Sequence, residues 1–249
     1  MSGQYSVHGI AGLPEITAGV DLARLLTARF DFRTHDVLVL AQKIVSKAEG
    51  RTVRLDTVVP SRAAQALALE AEKDPRVMQL LLEESREVMR VRPGVVIVED
   101  RRGWVCANAG IDRSNIVQEA GSETVCLLPI DSDASARRFR EGVRTVSGAD
   151  IAVVIADSHG RAWREGTAGV AIGSAGLDAV SDRRGCPDRQ GYALQHTLVG
   201  TADEVAAAAS LLMGQGDESV PAVVLRGLRL EGPGQATDLQ RPKERDLFR

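Results

Sequence analysis

The run Ile151 to Ala156 is short, continuous and mostly β-branched, which describes a strand buried on both faces. It ends on Asp157 and Ser158, with Gly160, Arg161 and Arg164 close behind. A carboxylate and a hydroxyl leaving a buried strand, followed by guanidinium groups, suit a hard metal ion and phosphate oxygens. The same residues also describe an ordinary strand-to-loop exit with an Asx-type turn. The rest of the chain decides between these readings.

Further strand-like runs lie at Val37–Ala41, Val95–Glu99, Trp104–Ala107, Val125–Leu128 and Ala222–Leu225. Helical segments separate them. Ser61 is a plausible N-cap for an Ala- and Leu-rich stretch to about Glu72. Asp74-Pro75 predicts a second helix running to about Glu84, with proline in its first turn. Asp131 to Ala134 offers caps for a helix through Arg144 that stops near Gly148. The segment Asp203 to Met213 opens on two acids and closes at Gly214, a fitting C′ residue. Asp100 to Gly103 is a hairpin-length connection, so part of the sheet is antiparallel. No GxGxxG follows any strand, which argues against a doubly wound dinucleotide fold. The expected class is α+β, with mixed, partly antiparallel sheets, flanking helices and two interleaved lobes in one 1–249 unit.

Composition narrows the function. A formal net charge of −3 and 3% aromatic residues exclude the basic, stacking surface of a nucleic-acid binder. Cys106, Cys126 and Cys186 form no CxxC pair and no zinc-type spacing. There is no leader-like N-terminus and no apolar run of membrane-spanning length, so a cytoplasmic protein without membrane contact is expected.

Four segments concentrate turn residues and functional groups. Gly12-Leu-Pro-Glu15 reads as a proline turn before a helix. After the Val37–Ala41 strand come Gln42 and then Ser46-Lys-Ala-Glu-Gly50, where Lys47 offers a point charge for a phosphate or is simply solvated. Cys106 to Asn115 is rich in small residues and carries Asp112 behind a strand-like segment. The Asp157-Ser158 exit is the fourth. Two acidic strand ends converging on Mg²⁺ or Mn²⁺ would use the oxygen ligands those ions prefer. His8, His35, His159 and His196 have no ligand spacing.

In this order these segments resemble the coenzyme F-420-0:γ-glutamyl ligase family, also called the CofE family, whose module forms the N-terminal part of the enzyme FbiB. The resemblance continues through Asn108-Ala-Gly-Ile-Asp112-Arg-Ser-Asn115, Leu128-Pro-Ile-Asp-Ser-Asp-Ala-Ser135, Asp157-Ser-His-Gly-Arg-Ala-Trp-Arg-Glu-Gly166 and Val170-Ala-Ile-Gly-Ser-Ala-Gly176. Ala202-Asp-Glu-Val-Ala-Ala-Ala-Ala209 and Glu244-Arg-Asp-Leu-Phe248 complete it. It implies a CofE-like fold and a GTP-dependent ligase that joins L-glutamate to a deazaflavin precursor, releasing GDP and phosphate. It also implies one or two Mg²⁺ or Mn²⁺ ions, K⁺, and an intertwined homodimer. Carried over by position, Leu13, Pro14, Glu15, Ile16, Gln42, Lys47 and Asn115 contact nucleotide. Asp112 and Asp157 hold one divalent ion, with Ser158 beside a second. On chemical grounds, Lys47 together with Arg161 or Arg164 would offset the repulsion between the reacting anions.

The chain departs from the family pattern at Leu198, where a Glu or Gln that serves the second metal is expected and leucine cannot ligate. With the family's terminal motif at Glu244–Phe248, no flavin-binding extension like that of FbiB is expected. Two rival functions use the same residues: a metal-dependent phosphate hydrolase, and a non-catalytic module that holds nucleotide or cofactor.

Overall fold

The protein is described here by a computed structural model covering residues 3–118 and 122–247. Phe248, the end of the last resembling motif, lies outside the described residues. The chain begins with β1 (Ser6–Ile10), α1 (Leu22–Thr27), β2 (Val37–Ala41), α2 (Gln42–Ala48) and β3 (Thr52–Arg54). Next come α3 (Arg62–Ala71), α4 (Pro75–Glu84), β4 (Ser85–Arg92), β5 (Val95–Asp100), β6 (Val105–Ala107) and β7 (Thr124–Cys126). The chain continues through α5 (Ser132–Ser147), β8 (Ala152–Arg161), β9 (Arg164–Ala175), β10 (Ser181–Asp182), β11 (Leu198–Val199), α6 (Thr201–Met213) and β12 (Ala222–Arg226). This is the expected α+β class.

The main sheet has the order β1-β12-β2-β8-β9. Only β2 and β8 run parallel; every other neighbouring pair in it is antiparallel. Its central strands are apolar without a break because both faces are covered. Alternation sorts their side chains: Leu38, Leu40, Val153 and Ile155 face a core shared with α1 and α5. Val37, Val39, Ala152 and Val154 face a second core shared with α6. Each such fully buried Leu, Ile or Val contributes about 2 kcal/mol of burial free energy. A third core, including Leu55, Met78, Leu81, Val98 and Val125, lies in the span between α2 and α5. The chain thus leaves the main sheet after α2 and returns to it at α5.

Caps fall where the sequence places them. Ser61, Asp74 and Asp131 each accept a backbone N–H from the first turn of α3, α4 and α5, and Gly148 ends α5 at φ 76°. The expected hairpin pairs Val98 with Cys106. Two expectations need correction. Gln42 to Gly50 is not a turn-rich loop: α2 begins directly at Gln42, and it buries Ile44 and Val45 in the first core. The strand expected to end at Ala156 continues to Arg161, because β9 pairs with it through Asp157↔Val170 and Ser158↔Gly169. No helix of the described residues is long and apolar enough to cross a membrane.

Candidate functional site

A cavity of about 580 Å³ opens where β2 ends beside Ala156, the point from which β8 runs on without it. Ala41 pairs with Ala156 in parallel register, so the next residues, Gln42 and Asp157, are delivered to the same wall. Leu13, Pro14, Glu15 and Ile16 form a second wall, and Asp112, Ser114 and Asn115 a third. Lys47 and Ser158 also line it. Ten of the residues expected at the site from sequence therefore meet in one place.

Each is positioned by local structure. Lys47 is nearly buried (7% side-chain exposure). Its Nζ donates to Glu15 Oε1 at 2.5 Å and to the Asn115 carbonyl at 2.6 Å, tying two walls of the cavity to α2. Gln42 is buried and its Oε1 accepts the Ser46 hydroxyl at 2.9 Å. Asp112 is set by an isolated antiparallel bridge to Cys126, at the end of β7. Before it the backbone turns through left-handed Asn108, Ala109 and Gly110. A Cβ on Gly110 would lie 2.6 Å from Leu128, so that turn admits no larger residue without displacing a fully buried leucine.

The two candidate metal carboxylates are each engaged by a basic side chain. Asp112 Oδ2 is 2.8 Å from Lys43 Nζ, and its Oδ1 accepts the Ser114 backbone N–H at 2.7 Å. Burial pushes the Asp112 carboxyl up, but the hydrogen bonds from Lys43 and Ser114 and the lysine charge more than reverse this, leaving it below its ordinary range. Asp157 Oδ2 lies 3.0 Å from His159 Nε2; residues 157 and 159 share a face of β8. Behind them Asp203, in the first turn of α6, accepts the Ala171 N–H at 2.8 Å, and burial raises its carboxyl.

Among the described residues no group of three or more His, Cys, Asp or Glu side chains is assembled that could hold a metal ion. A closed, zinc-type cage is therefore not built here. Asp112 and Asp157 line one cavity together with Ser158, and a pair of carboxylates fits Mg²⁺ or Mn²⁺. Such ions take one or two carboxylates and complete their shells with water and phosphate oxygens.

Arg161 and Arg164 are not on the cavity wall. They flank the exposed β8–β9 turn with Trp163. Leu198 is also elsewhere: it lies in β11, pairs with Asp182 and is half exposed. β11 stands before α6, and the cavity meets that helix at its far end, so position 198 does not line it. That end was not anticipated. Ser210, Met213, Gly214, Gln215 and Gly216 complete the cavity. α6 closes on β9 at Gly169, where a Cβ would come within 2.6 Å of the Ala206 carbonyl oxygen. The signal was the Gly214-Gln-Gly216 turn, read only as a helix stop. Lys43 was missed because a lysine beside Gln42 reads as solvated.

Comparison with known proteins identifies the chain's relatives. The family described as F420-0:Gamma-glutamyl ligase matches residues 11–227. The coenzyme F420:L-glutamate ligase of Methanopyrus kandleri is 45% identical over 240 residues, covering 94% of this chain and 94% of that protein. The proteins of the same name from Methanothermobacter thermautotrophicus and Archaeoglobus fulgidus are 43% and 42% identical, over 98% and 99% of this chain and 98% and 97% of their own lengths. Likeness at that level, over nearly every element that builds the cavity, leads to one conclusion: the chain belongs to the F420-0:Gamma-glutamyl ligase family.

Proposed function

We propose that this chain is a ligase that joins L-glutamate to the deazaflavin precursor coenzyme F420-0, driven by GTP bound in the β2–β8 cavity. The observation that carries the reading is the convergence of Glu15, Lys47, Asp112, Asn115, Asp157 and Ser158 on one cavity. The relatives named coenzyme F420:L-glutamate ligase supply the acceptor and the amino acid.

The chemical problem is that a carboxylate resists attack by an amine and hydroxide leaves poorly. Transfer of the γ-phosphoryl group to an oxygen of the acceptor carboxylate releases GDP and makes an acyl phosphate. The glutamate amine then attacks the acyl carbon, the amide C–N bond forms, the C–O bond to phosphate breaks, and phosphate departs. The amine's proton goes to solvent or to a basic group at the site. Positioning and electrostatics supply most of the acceleration in such phosphoryl transfers.

The chain's residues divide this work. Leu13 to Ile16, Gln42 and Asn115 hold the nucleotide, and Lys47 fixes two of those walls while presenting a buried positive charge. Lys43 and Lys47 offset the repulsion between the phosphates and the acceptor carboxylate. A divalent magnesium or manganese ion held by Asp112 and Asp157, with Ser158 beside a second, would neutralise charge on the β,γ-phosphate oxygens. Arg161 and Arg164, on the exposed hairpin turn, are assigned no role within a single protomer. Potassium and a homodimer complete the reading on family likeness alone.

Calorimetric titration with GTP and Mn²⁺, followed by a phosphate-release assay with and without L-glutamate and F420-0, tests it. Phosphate release that requires both substrates is expected. Release independent of both would identify a phosphate hydrolase, and binding without release a non-catalytic module.

A further inference from the structure

Lys43 lies in the first turn of α2 and reaches across the cavity to a segment about seventy residues further along the chain. Its Nζ donates to Ser114 Oγ at 2.7 Å and sits 2.8 Å from Asp112 Oδ2. The Ser114 hydroxyl lies 3.2 Å from the same oxygen, and the Ser114 N–H takes the other at 2.7 Å. Both carboxylate oxygens of Asp112 are thus engaged by the chain itself, one of them by a full positive charge. Lys43 is 19% exposed and Asp112 34%, so solvent screens the pair only in part.

An ammonium and a divalent ion cannot share one carboxylate at contact distance without strong mutual repulsion. Lysine is suited to give way, being a point charge on a flexible stem with no bidentate hold on the carboxylate. We propose that Lys43 is an internal cation on Asp112 that competes with the divalent ion for that carboxylate. This rests on the reading of Asp112 as a metal ligand. Free metal ion then meets an occupied carboxylate. A metal ion arriving with a polyphosphate brings anionic oxygens that give the displaced ammonium a new partner. Lys43 is a positioning residue in this sense: it delays metal loading until the nucleotide arrives.

The test is Mn²⁺ binding to the full chain without nucleotide, followed by the electron paramagnetic resonance signal of free Mn²⁺. Lys43→Met should bind Mn²⁺ more tightly than the unaltered chain by on the order of tenfold, the size of an ordinary coupling between sites. Lys43→Gln, which keeps a hydrogen-bonding group near Ser114 but no charge, should do the same, whereas Lys43→Arg should not. Adding Asp112→Asn to Lys43→Met should abolish the gain. A loss of the lysine charge that leaves Mn²⁺ affinity unchanged or weaker, while Asp112→Asn alone weakens it, overturns the proposal and leaves Asp112 as a ligand. A gain that survives Asp112→Asn overturns it as well. If Asp112→Asn has no effect in either background, the metal reading itself fails and the proposal falls with it.

Discussion

Ala41 and Ala156 face each other in register on the only parallel pair of strands in the main sheet. That one pairing places Gln42 and Asp157 next to each other although they are far apart in sequence. Open sheets bind ligands in the crevice beyond the carboxyl ends of parallel strands; here the cavity lies beyond that end of β2, beside Ala156 and Asp157 of the longer β8. The antiparallel strands around the pair supply the frame, and the segments after β1, β6 and α6 supply the remaining walls.

Lys47 is the tether of that arrangement, holding Glu15 and the Asn115 carbonyl at once. Lys47→Ala should lower kcat/KM for GTP on the order of a hundredfold, the usual loss for one electrostatic stabiliser. Lys47→Arg should not restore it, because a planar fork does not match two single acceptors around a buried stem. Steady-state phosphate release at saturating F420-0 and L-glutamate measures both. Activity of Lys47→Ala close to that of the unaltered chain would remove Lys47 from the mechanism.

Gly169 admits α6 to β9 without a gap, and an added Cβ there meets backbone, which cannot swing away. Gly169→Ala should destabilise the protein by about 1–3 kcal/mol through overpacking. It should also displace Ser210 and Met213 and weaken nucleotide binding. Thermal melting followed by circular dichroism, with GTP titration of the folded variant, separates the two effects. An unchanged melting temperature would contradict the close approach.

Acid stability should reflect Glu84. Burial pushes its carboxyl up, but hydrogen bonds from Arg102 and Arg51 outweigh that and hold it below the ordinary value of 4.5. A depressed carboxyl favours the folded state above its unfolded value, and that contribution fades as pH falls through the folded value. Glu84→Gln should therefore be less stable at neutral pH and lose less on acidification below 4.5. Urea midpoints across that range measure it; parallel curves for the two proteins would place the acid transition elsewhere.

Leu198 makes a negative test. It lies in β11 and does not line the cavity, so Leu198→Gln should change stability by no more than about 0.5 kcal/mol. The concentration of Mn²⁺ needed for half-maximal activity should stay where it is. A shift in that metal dependence would restore a metal role to this position.

Most of the fold was legible because its signals are local. The caps at Ser61, Asp74 and Asp131 and the stop at Gly148 each reflect hydrogen bonds or dihedrals within a turn of the residue concerned. The apolar runs of β2 and β8 could be read as buried on both faces for the same kind of reason. The extension of β8 through Asp157 and Ser158 was not legible: it depends on β9, whose glycines and polar residues at 164–169 disguise a strand. At the site, ten of the residues expected from motifs line one cavity and Arg161 and Arg164 do not, while Lys43 and the Gly214–Gly216 turn were not foreseen. Their roles arise from neighbours distant in sequence, Asp112 for the lysine and β9 for the helix that carries the turn.

The most direct test of the account is the mass of the deazaflavin after incubation with GTP, Mn²⁺ and L-glutamate, with the unaltered chain and with Asp157→Asn. The account expects the unaltered chain to add whole glutamyl residues to F420-0, and Asp157→Asn to add them at least a hundredfold more slowly, as for loss of one electrostatic stabiliser. Consumption of GTP with no change in the mass of F420-0, or full glutamyl addition by Asp157→Asn, would contradict it.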